Sequence, residues 1–185
     1  MNNPLSKEFL LKRGICCGNK CLNCPYNPKH CKGSKIATYS GLISSLPKNG
    51  VFVFGANTQG IHGAGAAKIA YEKFGAKYGY FGLMGSGPYS YGIITKDLRV
   101  KEQPSIPKRV IISQIITLYH IANQNPHLHF YVAYTANSKN LNYYSWQEML
   151  EMFYKAGNYL NLIPQNIIFE DKFFDEMKRI DDFKN

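Results

Sequence analysis

Apolar and polar positions switch between two periods along most of this chain, and the switches mark its elements. Val51 to Phe54 is an unbroken apolar run after the turn signal Pro47-Lys48-Asn49-Gly50, which predicts a strand buried on both faces. Gly63 to Phe74 then reads as a helix ended by Gly75. Residues 75–92 hold six glycines among Tyr78, Tyr80, Phe81, Tyr89 and Tyr91. That many bulky aromatics predict an ordered loop, leading into a strand over Ser90–Thr95. From Pro107 to Asn123 the period is helical: Ile111, Ile115, Leu118 and Ala122 share a face, and Pro107 suits a first turn. Leu128 to Tyr134 alternates as a strand, and a polar loop, Thr135 to Tyr144, follows. Ser145-Trp146-Gln147-Glu148 has the spacing of a capping box, which predicts a helix from about Trp146 to Ala156. Asn166 to Glu170 reads as a last short strand, and the charged, amphipathic stretch from Asp171 as a terminal helix.

Strands alternating with helices imply an α/β fold with a mostly parallel sheet and helices on both faces. Ligands of such sheets bind outside the carboxyl ends of the strands. The loops after Phe54 and after Tyr134 both start at such ends, so the pattern predicts that they form opposite walls of one cleft.

Composition adds a second module. All five cysteines, Cys16, Cys17, Cys21, Cys24 and Cys31, fall within sixteen residues, and residues 1–35 carry seven of the Lys and Arg against Glu8 alone. We read 1–35 as a basic cysteine-rich module and 36–185 as the main domain. The start lacks the charged-then-apolar order of a signal peptide, and no apolar run is long enough to span a membrane. The expectation is a cytoplasmic protein with no membrane partner, in which clustered thiols favour a metal over disulfides. Cys21-x-x-Cys24 is a metal knuckle, and Cys17 and Cys31 complete a tetrahedral set, with Cys16 and His30 as substitutes. Zinc is the first expectation and an iron–sulfur cluster the alternative. The lysines there suit a polyanion or nucleic acid, or simply a solvated surface.

The segment Gly55-Ala56-Asn57-Thr58-Gln59-Gly60-Ile61-His62-Gly63-Ala64-Gly65-Ala66 carries the candidate chemistry. A strand end, a glycine loop and a small-residue helix start bring bare N–H groups and a helix's positive end together, which suits a phosphate. The same small residues also let a helix pack closely on a sheet. Asn57 is placed to read a ribose hydroxyl or to hold a turn. His62 either touches a phosphate or acts as a base, or fills the loop. No Gly-Lys-Ser/Thr follows, so this is not a Walker loop, and Lys68 stands where the third glycine of the dinucleotide fingerprint would be. The aromatics after Gly75, with Tyr143, Tyr144 and Trp146, offer stacking surfaces or plain packing.

These residues carry a resemblance. Val51 to Asn57 with His62 to Lys68, continued by Ser90-Tyr91-Gly92-Ile93-Ile94-Thr95-Lys96-Asp97 and by Ile121 to Phe130, resembles a family of macrodomain-like proteins of phages and bacteria, over roughly 48–173. The resemblance implies a three-layer sandwich with a mostly parallel mixed sheet. It implies binding of ADP-ribose or a related NAD-derived nucleotide, by Gly55, Ala56, Asn57, His62, Gly63, Ala64, Gly65 and Ala66 on one side. Thr135, Ala136, Asn137 and Ser138, within a second phosphate loop 135–140, would face them. It implies either a phage-type sequestering protein, cytoplasmic in the host cell, or an ADP-ribosyl hydrolase in which Asn57 and His62 are the catalytic candidates. Two departures favour a binder: Lys68 replaces an expected acid, with no carboxylate between Asn49 and Tyr71, and the second loop has no glycine. Arg13 to Tyr26 resembles a cysteine motif of small uncharacterised proteins and oxidoreductase-like N-terminal segments.

Overall fold

A computed structural model describes Ser6, Leu10, residues 37–160 and residues 163–182. The chain divides into two units, Met1–Ala37 and Thr38–Asn185, and the fold described is that of the second. Cys16, Cys17, Cys21, Cys24, Cys31 and His30 lie outside the described residues, and so does the metal knuckle expected there.

Six strands and four helices follow one another among the described residues: β1 (Thr38–Tyr39), β2 (Gly50–Asn57), α1 (Gly65–Lys73), β3 (Gly82–Gly85), β4 (Tyr89–Lys96), α2 (Lys108–Gln124), β5 (His129–Val132), α3 (Trp146–Tyr159), β6 (Ile167–Glu170) and α4 (Asp171–Asp182). The sheet order is β1-β6-β5-β2-β4-β3. Every pairing is parallel except that of β3 with β4 at one edge. The expected mostly parallel α/β sheet is therefore present.

β2 lies between β4 and β5, and its unbroken apolar run is buried on both faces, as expected of a central parallel strand. Val51 and Val53 face one core with Ile93, Phe130 and Val132, under Ile111, Ile115, Leu118 and Ala122 of α2 and under α3 and α4. Phe52, Phe54 and Ala56 face a smaller core with Ala67, Ala70 and Phe74 of α1. Helices thus cover both faces. Tyr119 of α2 is fully buried, and its hydroxyl donates to the Phe153 carbonyl of α3 at 3.1 Å, which satisfies the one polar atom the packing would otherwise strand.

Two elements depart from expectation. The loop over 75–92 contains β3, whose residues Gly82 to Gly85 pair antiparallel with Tyr89 to Gly92. Glycines at both its ends hide a strand from a pattern reading. β1, of two residues, gives no period at all; it is fixed by parallel pairing to β6. No helix among the described residues is long and apolar enough to cross a membrane.

Candidate functional site

The carboxyl ends of β1, β2, β4 and β5 meet at one cavity of about 620 Å³, a volume suited to a nucleotide-sized ligand. Gly55–Asn57 close β2, Thr95 and Lys96 close β4, Ala133–Thr135 follow β5, and Gly41–Ile43 follow β1; all line it. The start of α1, Gly63–Ala67, forms one wall and Ser138–Asn142 another. The loops after Phe54 and Tyr134, some eighty positions apart, are therefore opposite walls of one cleft.

Of the twelve ligand-binding candidates, the structure brings nine to this cavity: Gly55, Ala56, Asn57, Gly63, Ala64, Gly65, Ala66, Thr135 and Ser138. Ala136, Asn137 and His62 are not among its lining residues. The Ala136 amide donates to a Glu170 carboxylate oxygen at 3.3 Å. Asn137 has φ 60, so it takes the left-handed turn conformation that a glycine would otherwise supply to this glycine-free loop. His62 is buried, 1% exposed, edge-on to Phe54; its Nε2 lies 3.0 Å from the Lys77 carbonyl and its Nδ1 has no partner among the described residues. Its ring thus joins the glycine loop to the segment at Lys77 and Tyr78.

Asn57 lines the cavity while its side chain organises the loop. Its Oδ1 accepts from the N–H groups of Gln59 (3.2 Å) and Ile61 (3.0 Å), and its Nδ2 donates to the Ile61 carbonyl at 2.6 Å. That is an Asx turn with a return bond.

The helix start has the features that anion binding needs. Ala64, the N-cap, is extended and provides no side-chain cap, and the first turn of α1 has no acid. The leading N–H groups of a helix have no partner in the helix itself. Gly65, at φ 55, leaves room for Leu141: a Cβ there would sit 3.0 Å from the Leu141 Cδ1. Below this start, Ala67 and Ala70 pack on the sheet, so the small residues serve close packing as well as the cavity wall. Lys68 points elsewhere, to Glu72 at 3.7 Å.

The lining carries two cations, Lys96 and Lys139, and no Asp, Glu, His, Arg or Cys. Lys96 is half-buried and its Nζ donates to the Leu141 carbonyl at 3.0 Å. The floor is the trio of Gly55, Thr95 and Tyr134. A Cβ at 55 would overlap the Tyr134 hydroxyl and stand 3.0 Å from the Thr95 Oγ1, so only glycine fits. Burial pushes the Tyr134 phenol up to about 12, with the hydrogen bond to Thr95 opposing, so the floor presents a neutral hydroxyl. Burial, then Glu170, raises the Tyr39 phenol also, and its hydroxyl donates to the Val132 carbonyl at 2.7 Å. Leu42 (89% exposed), Ile61, Leu98 and Leu141 (60%) give the mouth an apolar rim.

Lys96, Thr95, the Tyr134 hydroxyl and the β1 rim were missed from the sequence. Lys96 and Thr95 had a usable signal, the carboxyl end of a predicted strand. The remainder depends on pairings between distant segments. Of the candidate stacking aromatics, Tyr78, Tyr80 and Phe81 are exposed but outside the cavity lining. Tyr91 and Tyr144 are buried, and the Tyr144 hydroxyl donates to the Ile106 carbonyl at 2.8 Å. No group of three or more His, Cys, Asp or Glu side chains is placed to hold a metal among the described residues.

With this geometry in view, comparisons add a fold-level likeness. Residues 5–30 match the model of a family of unknown function, DUF5522. A solved structure titled "Alphavirus P23pro-zbd" resembles the chain with a TM-score of 0.51 at 12% identity. The likeness covers 90% of this chain and 27% of that one, so this chain spans about a quarter of its length. At that identity it speaks for the fold alone. No curated protein matches the chain.

Proposed function

We propose that the cavity binds ADP-ribose or a related NAD-derived nucleotide and that the protein acts by capture. The observation that carries this reading is a cavity of about 620 Å³ lined by an uncapped helix start and two lysines, without a carboxylate. Negative charge is welcomed there from both walls, while the aliphatic rim suits a base or ribose face. The macrodomain-like resemblance supplies the class of ligand, and the fold likeness is compatible with it. Under this reading the helix start Gly63–Ala67 and Lys96 meet the diphosphate, and Thr135 and Ser138 hydrogen-bond it from the other side. Asn57 holds the loop that carries the first wall and keeps one N–H for a ribose hydroxyl.

Capture is preferred to hydrolysis of an ADP-ribosyl bond for a chemical reason. Activating a water at neutral pH needs a positioned base, and neither a carboxylate nor an imidazole is among the lining residues. The His62 ring is spent on packing. Sequestering a nucleotide, as a phage protein would, needs only the cavity.

For residues 1–35 the proposal rests on donor chemistry and spacing: Cys17, Cys21, Cys24 and Cys31 would hold a structural zinc. The lysines of this segment would then present a basic surface to a polyanion.

A thermal-shift panel of ADP-ribose, NAD and simple nucleotides tests the ligand, followed by chromatography of the incubated ligand. Stabilisation by ADP-ribose with the ligand recovered intact is expected. Turnover would overturn capture, and a panel without any shift would overturn the reading as a whole.

A further inference from the structure

Residues 138–144 of the second loop form a strap at the mouth of the cavity, and two contacts tie it to one side chain. The ammonium of Lys96 donates to the Leu141 carbonyl at 3.0 Å and stands 4.7 Å from the centroid of the Tyr143 ring. Tyr143 is held at φ 67, a left-handed conformation that a residue with a Cβ adopts only when its surroundings impose it. Leu141, 60% exposed, reaches the opposite wall at Gly65, the position where a side chain would obstruct it.

Lys96 also lines the cavity, and no lining carboxylate competes for it. An ammonium has three N–H donors, and the carbonyl takes one. A phosphate oxygen is a stronger acceptor than any group now offered to the rest.

We propose that Lys96 is a positioning residue that couples anion binding to closure of the strap. Its ammonium holds residues 138–144 across the mouth and at the same time presents its remaining N–H groups to a ligand phosphate, so that the bound anion tightens the strap through the shared cation. This rests on the nucleotide reading of the cavity. It adds to that reading the element that closes on the ligand and the residue that operates it.

Hydrogen exchange of residues 138–144, measured by mass spectrometry with and without ADP-ribose, tests it, with circular dichroism to establish that each variant is folded. In the ligand-free protein Lys96→Met is expected to speed exchange of the strap about tenfold, the scale set by one hydrogen bond to a charged donor. Lys96→Arg, which keeps a cationic donor, is expected to retain slow exchange. Lys155→Met, which removes the same charge from the surface of α3, is expected to match the wild type. Saturating ADP-ribose is expected to slow the strap in the wild type and to leave it unchanged in Lys96→Met. Inorganic pyrophosphate is expected to do the same, because the anion is what the ammonium reads. Wild-type exchange rates in ligand-free Lys96→Met would overturn the proposal, and so would ADP-ribose that binds without slowing the strap. Failure of both probes to bind would overturn the nucleotide reading. The ligand-free comparison would then decide separately whether Lys96 holds the strap.

Discussion

Asn57 illustrates how a single residue serves both structure and site. Its carboxamide closes an Asx turn on Gln59 and Ile61, and its backbone ends β2 at the cavity, where the register of β2 against β4 shifts between Ala56 and Asn57. Asn57→Ala is expected to weaken ADP-ribose binding about tenfold, and to speed exchange of the Gln59 and Ile61 amides, since each loses its acceptor. Unchanged exchange at those two amides would contradict the turn role. The sequence made Asn57 legible as a candidate because an amide followed an apolar run and preceded glycines. It did not separate ribose reading from turn holding, because both use the same donors and acceptors. Gly55 was legible as a candidate binding glycine, but not as a packing position. Its actual reason, the approach of the Tyr134 hydroxyl, needs contact between β2 and the segment after β5. His62 was ambiguous for the same cause: nothing local shows that Phe54 and the Lys77 carbonyl enclose its ring.

At the scale of elements, helices and long strands were legible because their periods run for eight residues or more. α2 buries Ile111, Ile115, Leu118 and Ala122, the stripe its spacing predicts. The capping box before α3 is complete: the Ser145 Oγ accepts from the Glu148 N–H at 3.1 Å, and a Glu148 carboxylate oxygen accepts from the Ser145 N–H at 2.8 Å. β1, of two residues, and β3, flanked by glycines, were not legible. Neither was the strap, whose contacts with Lys96 join it to the distant end of β4. The box has a measurable weight. Ser145→Ala is expected to cost about 1 kcal/mol in denaturant unfolding at neutral pH. The hydrogen bond from Lys108, then that from the Ser145 N–H, hold the Glu148 carboxyl below its ordinary value of 4.5. A depressed carboxyl stabilises the fold above its ordinary value, and that stabilisation fades as pH falls below it. The melting difference between wild type and Glu148→Gln is therefore expected to shrink between about pH 7 and about pH 3. An unchanged difference would remove Glu148's ionised form from the account.

At the scale of the whole molecule, the chain pairs an α/β unit that opens a cationic cavity with a basic cysteine-rich segment. The parallel sheet and the facing loops followed from the alternation of elements together with the rule for strand ends. The zinc proposed for Cys17, Cys21, Cys24 and Cys31 is expected to appear as about one equivalent released to a chromogenic chelator after thiol modification. Protein free of zinc after growth in zinc-supplied medium would contradict it. The central claim, that an anionic nucleotide is received between the start of α1 and the strap, is tested most directly by titrating ADP-ribose into isotope-labelled protein and following backbone amide resonances. The account predicts saturable shifts concentrated at Gly63–Ala67, at Lys96 and along residues 138–142. Shifts confined to other parts of the chain, or none up to millimolar ligand, would contradict it.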